Sequence, residues 1–309
     1  MVAVLGIGAV LAARPAQAGF INQVPSDVTN FAILDAGAGS VKVNLSDYGI
    51  TGDVGIGAPS GITKTKFAPA GGCSGPCNLY GSVQFAGAVS TAMSGSNNIT
   101  GPITGSHANV QTDLNALYAL STSLSGEAGK LVGINLNSGQ SAALNASDGI
   151  LDGNGNRVFN VTSFSFNNGS TLTISGDAAG DSVVLNFSAA VQLGGTIVLN
   201  GLSPDQVLFN VTGNHALKAN ANGATLAGVF LDPDGTMSFN DAVVEGRILG
   251  GGSHALALAA GVTLIAPAVT RAPEPASFAL LAPSLCAIGA IRRRSLVRLI
   301  AQARFWKLR

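Results

Sequence analysis

Short apolar segments recur at regular intervals along the second half of the chain. The segments contain Val, Thr and Phe, residues that fit the pleated surface of a strand. One series of segments begins at Arg157 (RVFNV), Ser182 (SVVLNF), Gln206 (QVLFNV), Leu226 (LAGVFL) and Glu245 (EGRILG). A second series, interleaved with the first, begins at Thr171 (TLTIS), Thr196 (TIVLN), Ala216 (ALKAN) and Thr236 (TMSFN). Starts within a series lie 19 to 25 residues apart, which predicts stacked coils with at least two strands per coil.

Turn signals separate the segments. Asn167-Asn168-Gly169, Asn200-Gly201, Asn222-Gly223 and Asp234-Gly235 fall where the chain must reverse. A Greek-key sandwich would also contain short strands, but at one strand per ~8 to 12 residues and without a longer paired period. The pattern therefore predicts a mainly β fold, a right-handed β-solenoid.

A single segment has helical periodicity instead. Its apolar positions are Val110, Leu114, Leu117, Leu120 (or Ser121) and Leu124. The spacing predicts one α-helix near residues 108 to 125, with Ser106 capping its start and Gly126 at its end. We expect the leucine stripe to pack along the flank of the solenoid and to cover apolar surface or a strand edge.

The N-terminal residues 1–18 have the features of a signal peptide. An apolar core of about a dozen residues ends in Ala16-Gln17-Ala18, the small-x-small pattern that signal peptidase cleaves. The segment lacks a basic start, and Arg14 lies near the predicted cut. Export would place Cys73 and Cys77 in an oxidising compartment, where they can close a small disulfide loop. A zinc site is the alternative for these two cysteines, but neither His nor a further Cys lies nearby.

The C-terminal region predicts a membrane segment. Residues 276–291 carry no charge and are followed by Arg292, Arg293 and Arg294. As a helix they would span about 24 Å at ~1.5 Å per residue, slightly less than a bilayer core of ~30 Å. The arginines are expected to stay cytoplasmic, with the preceding chain outside. A buried C-terminal helix is the alternative, but adjacent arginines and two prolines fit it poorly.

The order Pro273-Glu274-Pro275, apolar helix with Gly289, and arginine cluster resembles a PEP-CTERM sorting signal. This resemblance implies recognition and cleavage by an exosortase-type membrane protease, so that the membrane anchor is transient. Residues 295–309 extend beyond the usual end of such a signal. Their apolar residues recur at helical spacing between arginines, which predicts a tail along the inner membrane surface; read-through sequence without a role is the alternative.

These features divide the chain into a signal peptide (1–18), a β-solenoid domain (19–270), a sorting and anchor segment (271–294) and a basic tail (295–309). Residues 19 to 270 contain seven Lys and Arg and fifteen Asp and Glu, so their net charge is 7 − 15 = −8. An acidic body excludes nucleic-acid binding through a basic face.

The body resembles the choice-of-anchor A type of adhesive domain found on exported bacterial proteins. The resemblance rests on ITGDVGIGAPSGI at 50 to 62, the helix near 108 to 125 and the strand run that begins FNVTSFSFNNGSTLTISG. The same layout is similar to the ice-binding β-solenoid, with an early strand, a flanking helix and a later stack of coils. Both resemblances imply a solenoid with a helix alongside, and they differ in what its surface binds.

Catalytic and metal-binding patterns are weak. His107, His215 and His254 are far apart in sequence, and GAPSG at 57 to 61 departs from the Gly-x-Ser-x-Gly nucleophile elbow. Asp148, Asp152, Asn154 and Asn156 alternate as in a Ca²⁺ loop, but Arg157 stands where Gly is expected, and turn chemistry explains the same residues. We therefore expect no catalytic residues, no cofactor and no metal.

A threonine column suggests ice binding but is interrupted. Ice binding requires a regular array of Thr or small residues on one face. Thr171, Thr173, Thr196 and Thr236 begin such a column, but Ala216 breaks it and Lys218 is expected on or near the same face.

The sequence thus favours an exported bacterial surface or extracellular-matrix protein with a non-catalytic adhesive or structural role. Its expected partners are the exosortase-type protease, the membrane and an extracellular polysaccharide or matrix. An ice-binding protein is the first alternative, and a secreted carbohydrate-active enzyme is the second.

Overall fold

A computed structural model describes residues 19–36, 40–45, 49–57, 64–69, 78–88, 98–177, 181–251, 255–259 and 261–267. The described residues contain one α-helix, α1 (Ala108–Ser125). They also contain short 3-10 helices at Phe20–Gln23, Ser26–Asn30, Ala146–Asp148 and Pro204–Gln206. The predicted combination of mainly β structure with one helix is confirmed.

The strands come in two groups, separated by α1. Before it lie β1 (Phe31–Asp35), β2 (Ser40–Leu45), β3 (Ile50–Thr51), β4 (Asp53–Ile56), β5 (Lys64–Pro69), β6 (Leu79–Tyr80), β7 (Val83–Phe85) and β8 (Ile103–Thr104). After it lie β9 (Lys130–Leu136), β10 (Ser141–Asn145), β11 (Ile150–Leu151), β12 (Asn156–Phe166), β13 (Thr171–Ser175), β14 (Ser182–Phe187), β15 (Val191–Leu193), β16 (Thr196–Asn200), β17 (Val207–Val211), β18 (Leu217–Asp232), β19 (Met237–Gly250), β20 (Leu256–Leu258) and β21 (Thr263–Ile265).

Face A is the ladder that α1 packs against. Its parallel strands follow the order β12, β14, β17, β18, β19, β1, β4, β7 and β8. Helix α1 contacts β14, β17, β19 and β1 of this ladder. The helix thus lies along the stack, as its leucine stripe predicts.

Face B is a second parallel ladder, built from the ends of longer strands and from short strands of its own. Its order is β12, β15, β18, β19, β20, β2 and β5. The long strands β18 and β19 contribute their first residues here and their last residues to face A.

Face C is the third ladder and has two parts. Strands β10, β13 and β16 form a separate three-stranded parallel sheet. The middle of β19 continues through β21, β3 and β6 in the second part. Each complete coil therefore passes through three faces, and the antiparallel pairing of β11 with β12 is the exception among the described strand pairs.

The repeat predicted from the sequence is confirmed on face A, where all five segments of the first series are stacked. Val158, Val184, Leu208, Val229 and Arg247 occupy one position in successive coils. Differences between their residue numbers give coils of 26, 24, 21 and 18 residues. The later shortening has two sources: the connection from face C to face A falls from residues 201–206 before β17 to the single residue Gly228 in β18, and the connection from face B to face C falls from residues 221–223 in β18 to the single residue Asp241 in β19.

The chain does not stack its coils in sequence order. The last complete coil, in β19, pairs with the first strand, β1, through Ile248 and Ile33. The first coils then extend away from this junction, and α1 returns the chain to the other end, where β9 pairs with β12. The amide of His107 bonds the carbonyl of Phe85 at one end of the helix, and Asn186 bonds the carbonyl of Leu124 at the other.

Two apolar clusters hold this arrangement. The larger fills the inside of the coils and includes a row of rings in contact, Phe187, Phe209 and Phe230. The smaller lies between face A and the helix, where Leu114 and Leu117 meet residues such as Leu208. Phe20 and Val28 of the N-terminal segment join the second cluster. The predicted Ser106 cap is wrong, because His107 is the N-cap residue and makes no side-chain capping bond.

A buried arginine fixes the centre of the stack. Arg247 is fully buried and bonds Asp205 at 2.8 Å, with further bonds to the carbonyls of Phe31 and Pro267. It therefore ties together β19, the segment before β17, the first strand and the end of the described chain.

Several sequence predictions concern residues outside the described ranges. Among them are the signal-cleavage residues Ala16 and Ala18, the cysteines Cys73 and Cys77, the sorting motif Pro273, Glu274 and Pro275, and the arginines Arg292, Arg293 and Arg294. The same holds for the predicted C-terminal transmembrane helix and the basic tail. Within the part of the chain that is described, no helix is long and apolar enough to cross a membrane.

Candidate functional site

The three-stranded sheet of face C presents a regular array of small side chains. Strands β10, β13 and β16 pair residue for residue over five positions without a register shift. Alternate positions face outward and form three rows, which are Ser141–Thr171–Thr196, Ala143–Thr173–Val198 and Asn145–Ser175–Asn200. We call these nine residues the face C array.

Alternation along each strand anchors the array to the core. The residues between the outward positions point inward, and Leu144, Leu172, Ile174 and Ile197 are buried. A slip of one residue would turn these apolar side chains to the solvent, so burial fixes the register. The strands therefore hold the nine side chains at fixed positions.

Backbone bonds at the start of each strand add to this. The amide of Thr171 donates to the carbonyl of Gln140 at 2.9 Å, and that of Thr196 donates to the carbonyl of Ser170 at 2.8 Å. Both strands thus begin at the same level, which aligns Thr171 with Thr196.

The spacing of the array follows from sheet geometry. Outward side chains repeat every ~6.6 Å along a strand and every ~4.8 Å between strands. None of the nine residues is charged. Such a surface offers hydroxyl, amide and methyl groups on a two-dimensional repeat, with no ammonium or carboxylate to hold its own hydration shell.

The array is accessible to a large ligand. Its outer strands carry exposed side chains at Ser141, Ala143 and Asn145 and again at Val198 and Asn200. Val198 is 42% exposed and therefore presents its methyl groups to the solvent. The central strand is half-buried because it has a neighbour on each side. The array suits contact with an extended surface, not enclosure of a small molecule.

The array ends where the chain turns between faces B and C in β18. Asn222 and Gly223 both have positive φ, 47° and 80°, and no residue-by-residue ladder joins β16 to β18. One coil further, Glu245 is exposed on face C.

The structure corrects the sequence-based assignment of the second strand series. TLTIS and TIVLN pair with each other on face C, as β13 and β16. ALKAN and TMSFN instead lie at the starts of β18 and β19, which pair on face B. Thr236 and Ala216 are therefore not part of the threonine column, and Lys218 does not project from the threonine face. The main objection to an ice-binding array is wrong.

Sequence reasoning identified three of the nine array residues, Thr171, Thr173 and Thr196. It missed β10, whose SAALN repeats the pattern of TLTIS and TIVLN: a polar residue at the first and fifth positions, Ala, Thr or Val at the third, and apolar residues between. The signal was present thirty residues before Thr171, but Ala and Ser in place of Thr concealed it.

The described residues give no support for a metal centre. Oδ1 of Asp152 accepts the amides of Asn154 and Asn156 at 2.8 and 2.7 Å, and Oδ2 accepts the Asn156 side chain at 2.6 Å. The suspected calcium loop is thus an Asx turn whose oxygens serve the backbone. Among the described residues, no group of three or more His, Cys, Asp or Glu could hold a metal ion.

Titratable groups with shifted pKa values lie away from the array. Burial raises the pKa of Asp113 on α1 to about 6, and the charge of Asp27 acts in the same direction. Burial raises the pKa of Asp232, at the end of β18, to about 7; the Gly235 amide lowers it, and Asp234 raises it. His107 bonds Thr104 at 2.6 Å at the start of α1, and His215 is half-buried in a turn.

Residues 28–254 match the sequence model of a family described as "Putative Ice-binding-like adhesive domain". A search of curated proteins gives no match.

Several solved structures are similar at low sequence identity. One is an ice-binding protein from the Antarctic ascomycete Antarctomyces psychrotrophicus, with 14% identity, a TM-score of 0.48, and coverage of 80% of this chain and 100% of that chain. A glycosylated ice-binding protein from an Arctic yeast has 16% identity, a TM-score of 0.47, and coverage of 84% and 98%. A domain of an ice-binding protein of Shewanella frigidimarina has 16% identity, a TM-score of 0.47, and coverage of 79% and 97%.

Proposed function

Since this chain belongs to the family of ice-binding-like adhesive domains, we propose that it is an exported, non-catalytic protein that adsorbs to ice through the face C array. The observation that carries the proposal is the uncharged, in-register arrangement of nine small side chains on β10, β13 and β16. The array forms part of a stack of parallel coils, for which we propose the right-handed β-solenoid expected from the sequence.

The physical argument concerns ordered water. A crystal surface repeats its oxygen positions at fixed intervals, so a ligand gains most from groups that repeat at fixed intervals themselves. Threonine and serine hydroxyls can take part in the water network, and methyl groups such as those of Val198 and Ala143 favour ordered water around them. A charged group would keep a hydration shell of its own and would have to lose it on contact.

We also propose the export route that the sequence predicts. Cleavage after Ala18 would leave Gly19 as the first residue of the mature chain. Gly19 is buried, and a side chain there would come within 3.1 Å of Ser182. Phe20 is 1% exposed in the cluster under α1. Cleavage after Ala18 would keep both of these packed residues in the mature chain.

The C-terminal part of the proposal is sorting at Pro273-Glu274-Pro275 by an exosortase-type protease, with Arg292, Arg293 and Arg294 as the membrane stop. The proposed location is transient anchoring in the inner membrane, followed by the cell surface or the medium. A disulfide between Cys73 and Cys77 belongs to the same proposal, because it requires the oxidising environment that export provides.

Ice partition tests the proposed function. The purified full-length chain carries a fluorescent label, and its fraction is measured in ice that grows slowly from a stirred solution. The native chain is expected to enter the ice, and the heat-denatured chain is expected to stay in the liquid. Thr173→Lys places a charge at the centre of the array and is expected to reduce the fraction to the denatured level.

Gln192→Lys is the matched control. Gln192 is exposed on β15, one residue from the buried Leu193, and faces outward on face B. The account predicts unchanged partition for this variant, provided that both variants melt at the native temperature. Equal losses in both variants, or exclusion of the native chain from ice, would overturn the proposal.

A further inference from the structure

The strands of face B differ from the rest of the molecule in charge. The segments that form this face are Val191–Leu193, Leu217–Asn220, Met237–Asn240, Leu256–Leu258, Ser40–Leu45 and Lys64–Pro69. They contain four lysines and no acidic residue. Residues 19 to 270 hold only seven basic residues against fifteen acidic ones, so more than half of the basic residues lie in one ladder.

The ladder register places three of these lysines, Lys218, Lys42 and Lys66, in one column. Lys218 pairs with Ser238, Ser238 with Ala257, and Ala257 with Lys42, each on the next strand. Lys42 in turn pairs with Lys66 of β5. Lys218 and Lys42 are exposed and lie three strands apart, about 14 Å at ~4.8 Å per strand. We call the column from Lys218 to Lys66 the lysine column.

No ion pair neutralises Lys42 or Lys218 among the described residues. The ion pair found among the described residues joins Arg247 to Asp205, in the interior. Asp234 and Asp241 lie outside the face B segments, one in the turn before Met237 and the other directly after Asn240, and Asp47, two residues after Leu45, lies outside the described residues. The column is therefore a local positive strip on an acidic body.

Polar amides accompany the lysines. Asn240 donates to Asn220 at 3.1 Å beside the column, and Gln192 is exposed next to Lys218. Between the two exposed lysines the outward residues are the small Ser238 and Ala257. A linear chain can therefore lie along the column without steric obstruction and meet both ammonium and amide groups.

We propose that face B binds an anionic polysaccharide that carries carboxylate groups, with Lys42 and Lys218 as its charged contacts. A linear polymer fits a column one side chain wide, and sugar hydroxyls fit the neighbouring amides. Duplex DNA carries a much denser negative charge than a polymer of uronic acids, so the net charge of the body, −8, opposes DNA more strongly. A folded protein partner would require a buried aromatic or apolar anchor, and the column segment from Lys218 to Lys42 offers none. This adhesive surface is separate from the proposed ice-contacting face.

Binding to immobilised alginate, a polymer of uronic acids, tests the proposal. The full-length chain is applied at low and high salt, with neutral dextran, poly-glutamate and duplex DNA as comparison surfaces. Binding to alginate is expected at low salt and is expected to weaken as salt screens the charges. Lys42→Gln with Lys218→Gln is expected to weaken it about tenfold, roughly threefold for each lysine.

Lys130→Gln is the matched control, because Lys130 is also an exposed lysine on a strand but lies on β9. It is expected to bind alginate as the native chain does. Replacement of Lys42 and Lys218 by Arg is expected to preserve binding, since the charge is retained. Equal weakening by Lys130→Gln, equal binding to dextran, or binding to DNA or poly-glutamate as tight as to alginate would each overturn the proposal. Unchanged ice partition of the double variant shows that it is folded.

Discussion

Buried polar side chains at single positions connect the helix to the coils. Asn186 and Asn210 occupy equivalent positions on adjacent strands of face A. The Asn210 side chain donates to Asn186 at 2.9 Å and to the carbonyl of Ser121 at 3.2 Å, and the Ser121 hydroxyl donates to Asn210 at 2.6 Å. Asn186 donates to the carbonyl of Leu124 at 2.7 Å. These two asparagines thus add side-chain donors to carbonyls near the end of the helix, of which that of Leu124 also accepts the amide of Glu127.

Replacement of Asn210 by Ala tests the contribution of these asparagine hydrogen bonds to stability. The change leaves Ser121 and Asn186 with unpaired buried groups, so the free energy of unfolding is expected to fall by about 3 kcal/mol. Asn168→Ala, in an exposed turn, is the control and is expected to change it by less than about 0.5 kcal/mol. Urea unfolding of the three proteins measures both values. Similar stability of Asn210→Ala and the native chain would show that water replaces the hydrogen bonds of the Asn210 side chain.

The buried carboxyl of Asp232 makes stability depend on pH. Its pKa is about 7 in the folded chain and near 3.8 when the carboxyl is exposed. Between pH 3.8 and pH 7 the folded state therefore keeps a proton that the unfolded state has lost. The free energy of unfolding is therefore highest at acidic pH and falls as the pH rises towards 7. Asp113, with a pKa raised to about 6, acts in the same direction.

We expect the native chain to be more stable at pH 5 than at pH 8, and Asp232→Asn to lose much of this difference, about 2 kcal/mol. The amide retains an acceptor for the Gly235 amide, which lies 2.8 Å from Oδ1. Denaturant midpoints at the two pH values provide the measurement. A native chain that gains stability between pH 5 and 8 would contradict the assignment.

At the level of strands and turns, the short coils of β18 and β19 depend on a glycine where the chain bends from face C to face A. Gly228 and Gly246 occupy the same corner in adjacent coils and have φ values of 142° and 150°. A side chain at Gly246 would come within 1.8 Å of the Gly228 carbonyl oxygen. The backbones of adjacent coils approach too closely here for any other residue.

Two glycines with positive φ distinguish the stability lost through steric contact between adjacent coils from the stability lost through an unfavourable φ angle alone. Gly246→Ala is expected to destabilise the fold by more than about 3 kcal/mol, because backbone must move. Gly223→Ala, with φ of 80° and no atom within 4 Å of the added carbon, is expected to cost about 1 kcal/mol. Calorimetric melting of both variants makes the comparison. Equal costs would mean that adjacent coils can separate at Gly246.

The sequence predicted the elements better than their grouping into faces. The helix limits and the face A repeat follow from periodicity, which depends on neighbouring residues alone. The division of the second series into faces B and C could not be predicted, because TIVLN and ALKAN both place apolar residues at their second and fourth positions. That error placed Lys218 with the threonines and gave ice binding too little weight.

At the scale of the whole molecule, the pairing of β1 with β19 closes the stack. It joins residues more than two hundred positions apart, such as Ile33 and Ile248. Periodicity reveals that coils repeat, but not that the first strand docks onto the last complete coil. Arg247 reinforces this junction by bonding the Phe31 carbonyl at 2.8 Å, and its sequence context, EGRILG, gave no indication of burial.

Processing at the C-terminus is also a property of the whole chain. In the producing cell, replacement of Pro273, Glu274 and Pro275 by Ala is expected to leave a longer, membrane-retained product, because the protease would no longer recognise its signal. Pro283→Ala, inside the apolar run, is the control and is expected to be processed. Immunoblots of membrane and medium fractions measure size and location. An unchanged product in the triple variant would refute sorting at this motif.

Thermal hysteresis, measured on a pair of variants at equal molar concentration, tests most directly whether face C is the ice-contacting face. Val198→Tyr disturbs the array by size without adding charge, and Gln192→Tyr adds the same ring to face B. The account predicts that Val198→Tyr loses most of the native hysteresis, whereas Gln192→Tyr retains it. Loss in Gln192→Tyr with retention in Val198→Tyr would move the contact to face B, and absence of hysteresis in the native chain would contradict ice binding.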